Sequence, residues 1–230
     1  WADDGWSFTT TPTNLCTTWT ASSVTDNWAW STYDWTCDWS NGWTNASCSA
    51  THSNPVYDIA NSLRFNDNDS AYLSRTPSSA GNRKTWTWSW WVKRGNLWEK
   101  DLFGLRHPWS VSEWITFTGL NELYFKFWWG PENSYIKTNT QFTDLSKWYH
   151  VVAVLDTLNS TSTDRLRLYV DGQRITSFSS ESYPWSGTEF YINNNEKHWL
   201  GWANETHGTF DWYMSDVHFV DGQALDPTSF

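Results

Sequence analysis

Apolar and polar positions change their rhythm near residue 55. Beyond it, Ser62-Leu63-Arg64-Phe65, Leu166-Arg167-Leu168-Tyr169-Val170 and Val217-His218-Phe219-Val220 set apolar side chains two residues apart, the period of a strand with one buried face. Lys84–Arg94 (KTWTWSWWVKR) and Trp148–Asp156 (WYHVVAVLD) are denser still, and the second predicts a central strand buried on both sides. Asp171-Gly172 joins Leu166–Val170 to Gln173–Phe178 and predicts a β-hairpin, because the two-residue turn that matches strand twist needs φ > 0. No segment sustains a helical period. The reading is an all-β fold whose larger part, residues 59–230, is an antiparallel two-sheet sandwich.

Residues 1–52 have a different character: all three cysteines (Cys16, Cys37, Cys48), almost no Leu or Ile, and abundant Thr, Ser, Asn and Trp. They predict a small cysteine-containing β unit. Residues 53–58 read as a linker, with Pro55 as punctuation. The chain begins at Trp1 and its single methionine is Met214, so the reading is a piece of a longer polypeptide.

Charge narrows the partners. Fifteen Lys and Arg against 25 Asp and Glu give a net charge of −10, which repels a phosphate backbone, so nucleic acid is not expected as a partner. No apolar run approaches the roughly 20 residues that cross a bilayer, so membrane insertion is not expected either.

Twenty-two Trp against twelve Gly is an unusual ratio for a turn-rich β protein, since tight turns call on glycine for φ > 0. Three readings stand. In the first, several positions are UGA codons that the source reads as glycine: Trp6, Trp19, Trp39, Trp43, Trp90, Trp129 and Trp212 would be glycines, whereas Trp35, Trp86, Trp88, Trp91 and Trp148 are true tryptophans. In the second, exposed tryptophans are platforms on which sugar rings stack. In the third, they pack in cores.

Candidate chemistry is sparse. The glutamates (Glu99, Glu113, Glu122, Glu132, Glu181, Glu189, Glu196, Glu205) are scattered singly and read as solvated surface charges. His-x-x-x-His, Cys-x-x-Cys and Gly-x-Ser-x-Gly are absent, so neither a metal site nor a nucleophile elbow is signalled. His150, mid-strand beside Trp148 and Tyr149, reads as a structural histidine. The densest oxygen cluster is Asn66-Asp67-Asn68-Asp69. It reads either as a plain turn or, through Asp67 and Asp69, as part of a calcium site. The long polar and aromatic stretches 97–114 and 179–195 are expected to be rim loops that contact a ligand.

Two resemblances add to this. Ser62–Phe65, Trp86-Thr87-Trp88-Ser89, Trp91–Arg94, Trp148–Val152, Leu168-Tyr169-Val170-Asp171-Gly172 and Phe210–Pro227 resemble, in order, the laminin-G-like branch of the concanavalin A-like lectin and glucanase fold. The resemblance implies a jelly-roll sandwich and, in many members, a calcium at the rim. The Glu-x-Asp-x-(x)-Glu strand of its glucanases is absent, so no enzyme activity is expected. Residues 1–50 resemble short cysteine-containing repeats of large bacterial surface proteins, through Leu15-Cys16, Ser22-Ser23-Val24, Trp35-Thr36-Cys37, Asn41-Gly42 and Cys48-Ser49-Ala50. That resemblance implies a Cys16–Cys37 disulfide, a partner for Cys48 upstream, and an extracellular or cell-surface setting.

The expected function is therefore a non-catalytic recognition or adhesion module of an exported protein, binding a glycan or a cell-surface protein. Two alternatives are a host-attachment or structural module of a phage particle, which the run Asp216–Pro227 resembles, and an accessory carbohydrate-binding domain of a secreted glycosidase.

Overall fold

The computed structural model describes residues 7–8, 16, 20–23, 25–27, 32–38, 46–52, 59–107, 111–129, 132–201 and 211–230. The chain divides into two compact units, Trp1–Ile59 and Ala60–Phe230. The expected linker at 53–58 lies outside the described residues, as do Trp6, Trp19, Trp39 and Trp43.

The small unit is one sheet built from β1 (Ser7–Phe8), β2 (Thr20–Ala21), β3 (Thr25–Asn27), β4 (Thr32–Asp38) and β5 (Ala46–His52). β4 and β5 form its antiparallel spine. Alternate residues of that pair, Tyr33, Trp35 and Cys37 with Cys48 and Ala50, make a small core. A disulfide joins Cys16 to Cys37 with the Cα atoms 6.1 Å apart, as the resemblance implied. Cys48 is buried beside it, its Sγ 3.8 Å from that of Cys37.

The large unit contains β6 (Leu63–Arg64), β7 (Leu73–Arg75), β8 (Thr85–Arg94), β9 (Lys100–His107), β10 (Val111–Phe117), β11 (Glu122–Trp129), β12 (Glu132–Gln141), β13 (Trp148–Asp156), β14 (Leu166–Val170), β15 (Gln173–Arg174), β16 (Phe178–Ser182), β17 (His198–Leu200) and β18 (Trp212–Asp221). They form a seven-stranded sheet, ordered β16-β12-β11-β10-β9-β17-β7, and a six-stranded sheet, ordered β15-β14-β13-β8-β18-β6. The predicted sandwich is present, with β13 in the interior of its sheet and buried on both faces. The predicted hairpin closes through Asp171 (φ 52°) and Gly172 (φ 79°), the paired positive φ of a tight hairpin turn.

Period-two alternation builds the core. Trp86, Trp88, Trp90 and Val92 of β8 face inward against Leu123, Phe125 and Phe127 of β11 and Ile115 and Phe117 of β10. Burying each such side chain stabilises the fold by roughly 1.5–3 kcal/mol. On the outer face of the six-stranded sheet, the C-terminal segment folds back. Thr87 Oγ1 donates to the Gln223 carbonyl and accepts from the Leu225 amide, both at 2.8 Å.

Three expectations are corrected. The stretch 97–114 is mostly not a loop: it is the hairpin of β9 and β10 with Leu102, Leu105 and Trp114 buried. Charged and polar residues, and Gly104, hide its alternation. Glu113 and Glu122 are not solvated charges. Glu113 is fully buried because its carboxylate accepts from the Tyr191 and Ile192 amides at 2.7 and 2.6 Å, and Glu122 pairs with Lys137 and accepts from Ser179 Oγ. Trp90 and Trp212 occupy strands and are buried, at φ values that are not positive, so turn sterics do not argue for glycine there.

Candidate ligand-binding site

At one end of the sandwich, β7, β9, β17 and the end of β18 surround a cavity of about 470 Å³, within the usual size of a small-ligand site. Phe103 and Phe219, with ring centroids 6.2 Å apart, give it an apolar floor. Arg75, Ser78, Asn193, His198 and Asp221 supply polar groups to its walls.

Those walls are tied together by backbone as well as side chains. Asp221 Oδ1 accepts from the Asn82 amide at 2.8 Å and from Asn193 Nδ2 at 2.7 Å. Asn193 sits at φ 70°, a left-handed conformation that asparagine tolerates better than most residues. Its Nδ2 also donates to the Asn82 carbonyl at 3.0 Å, and its own carbonyl accepts from the Gly81 amide at 2.8 Å. A Cβ on Gly81 would overlap both the Asn193 side-chain amide and the Asp221 carboxylate, so a side chain there would displace the Asn193–Asp221 contact.

His198 is held on both ring nitrogens. Nε2 accepts from the Asn193 amide at 3.0 Å, which leaves Nδ1 to donate to the Glu196 carbonyl at 2.8 Å. Burial holds its pKa below the ordinary histidine range, so it is neutral and positions the wall. His150 is likewise structural, with Nε2 2.8 Å from Ser89 Oγ and its ring stacked on Trp91. Glu113 is pushed up to about 7, burial outweighing its two backbone hydrogen bonds. Its carboxylate binds the segment carrying Tyr191 and Ile192 from beneath and does not line the cavity.

The sequence-predicted site residues fare unevenly. The stretch 179–195 contributes Asn193 to the cavity wall, while its Trp185 is 72% exposed. Of 97–114, Phe103 reaches the floor from inside a strand. Asp67 and Asp69 lie in a single 3₁₀ turn capped by Asn66, whose Oδ1 accepts from the Asn68 amide. Asp69 accepts from Asn66 Nδ2 at 3.0 Å and Asp67 lies 3.5 Å from Lys100 Nζ. The two carboxylates are thus engaged separately and do not fit a calcium site. No group of three or more His, Cys, Asp or Glu that would hold a metal exists among the described residues.

Sequence reasoning missed Arg75, Ser78, Gly81 and Asp221, because the cavity draws on segments some 140 residues apart. A hollow of about 500 Å³ also opens on the small unit between Ser22-Ser23 and Ser47–Ser49, but its Trp35 is buried and presents no aromatic face.

The family model described as "Concanavalin A-like lectin/glucanases superfamily" matches residues 66–228, and the chain belongs to that superfamily. Among solved structures, domains LG4-5 of the mouse laminin alpha1 chain share 14% identity at a TM-score of 0.54, over 73% of this chain and 44% of that one. A putative carbohydrate binding protein from Bacteroides ovatus shares 16% identity at 0.49, over 82% and 51%. A heptameric SAP-like pentraxin from Limulus polyphemus shares 14% at 0.48, over 67% and 70%. The chain thus spans less than half of the laminin chain it matches, and the likeness is one of fold. A search of curated protein sequences finds no match. No helix among the described residues is long and apolar enough to cross a membrane.

Proposed function

We propose that the large unit is a non-catalytic recognition module that binds a glycan in the cavity between Arg75, Asn193, Phe219 and Asp221. The observation that carries this reading is the pairing of an aromatic floor with polar groups already fixed by the Asp221–Asn193–Asn82 contacts. A sugar presents an apolar C–H face and a rim of hydroxyls, and such a site meets both without first ordering its own loops. Glu113, the carboxylate with the strongly raised pKa, is engaged by backbone amides, which supports binding over acid–base catalysis.

The disulfide in the small unit supports an exported protein. In this reading the small unit is a spacer and the sandwich is presented at a cell surface, where repeated modules raise avidity. A glycan array on the intact chain tests the proposal. Binding that disappears in Arg75→Ala with Phe219→Ala, at unchanged circular dichroism, supports it; binding unaltered by both changes refutes it.

A further inference from the structure

The opposite, outward face of the seven-stranded sheet carries a feature the cavity does not use. Leu123, Phe125 and Phe127 point inward and are fully buried, so Tyr124, Lys126 and Trp128 point outward. Register sets Lys126 directly between Trp114 of β10 and Tyr135 of β12. The Lys126 ammonium lies 4.5 Å from the Trp128 ring centroid, 5.1 Å from Trp114 and 5.5 Å from Tyr124. Gly104 faces Trp114 across the next strand pair, and a Cβ there would collide with Trp114 and the Glu113 carbonyl. The glycine is what lets Trp114 lie against β9.

Lys126 has no carboxylate partner among the described residues, in a chain with a net charge of −10. Lys84, Lys100, Lys137 and Lys147 each pair with an acid. Ring faces attract an ammonium without neutralising it, and its remaining donors stay available. Beside it Trp128 is 45% exposed, leaving aromatic surface for the C–H face of a sugar.

We infer that this face is a second binding site, for a saccharide carrying a carboxylate or sulfate, with the sugar ring on Trp128 and the anion on Lys126. A single ring-flanked ammonium offers donors for one anionic group of a sugar at a time. Burial holds the Lys126 pKa below the usual lysine range, and a bound anion would raise it again.

Calorimetric titration of the intact chain with a uronate-containing disaccharide, its sulfated counterpart and their neutral parent tests the inference. At least one anionic disaccharide should bind tenfold or more tightly than the neutral one, with the gap shrinking at high salt. Binding of the uronate, the sulfated sugar or both identifies the source of the anion. Lys126→Gln should abolish the preference and Lys126→Arg preserve it, so a loss through misfolding is distinguished from loss of charge. Lys93→Gln, on β8 of the six-stranded sheet and outside the cavity, should leave it intact. Equal binding of neutral and anionic sugars, binding of none, or a preference untouched by Lys126→Gln overturns the inference.

Discussion

Asp221 Oδ1 accepts from Asn193 Nδ2 at 2.7 Å, joining the last residue of the closing strand to a loop that precedes it by 28 positions. This contact holds one wall of the cavity, since Asn193 also sets Gly81 and His198. Asn193→Ala removes both side-chain bonds at a left-handed backbone. Each hydrogen bond is worth about 1 kcal/mol net, and alanine adds roughly 1–2 kcal/mol of strain there. Urea unfolding should show a loss of about 3–4 kcal/mol, and a variant within about 0.5 kcal/mol of the parent would show that the wall does not depend on Asn193.

Acid should weaken the fold through its two buried histidines. Burial depresses the folded-state pKa of His150 and His198 below the ordinary 6.5, so the folded state binds fewer protons than the unfolded one. Their contribution is complete above about pH 6.5 and is lost as pH falls through the depressed values. Glu113 acts in the opposite sense. Its pKa is raised from 4.5 to about 7, so its contribution is present below 4.5 and is lost as pH rises through about 7. Glu113→Gln should therefore make stability fall more steeply between pH 7 and 5 than in the parent. Parallel profiles of urea midpoint against pH would contradict the assignment.

Chelation should change nothing. The Asp67 and Asp69 carboxylates are taken up by Lys100 and Asn66, so EDTA and added calcium should leave Tm unaltered. A rise of several degrees with calcium would restore the metal site.

The tryptophan question moves from turns to the core. Trp86, Trp88 and Trp90 bury indole N–H groups without an acceptor among the described residues, and Trp88 and Phe103 have ring centroids 3.2 Å apart, shorter than the roughly 4.5–7 Å usual for aromatic pairs. The recoding reading predicts a native peptide mass with glycine at 90 and 212; UGG codons at Trp212 and Trp43 would end it.

Much of the sandwich was legible because its central strands obey a two-residue period. Trp148–Asp156 and Asp171-Gly172 needed no tertiary information. The β9–β10 hairpin did, because Gly104 and Glu113 hold inner or tightly packed places that their residue types do not announce. A buried glutamate is invisible until the backbone amides that donate to it are in view, and those of Tyr191 and Ile192 lie nearly 80 positions away. The cavity was half legible for the same reason: the loop carrying Asn193 advertised itself by composition, whereas Arg75, Gly81 and Asp221 meet it only through the sheet order.

Backbone amide chemical-shift mapping with a neutral glycan selected on the array tests the central claim most directly. Binding in the cavity predicts shifts concentrated at Ser78–Gly81, Asn193 and Asp221, with Lys126 and its neighbours unmoved. Shifts that leave Asn193 and Asp221 untouched would contradict it.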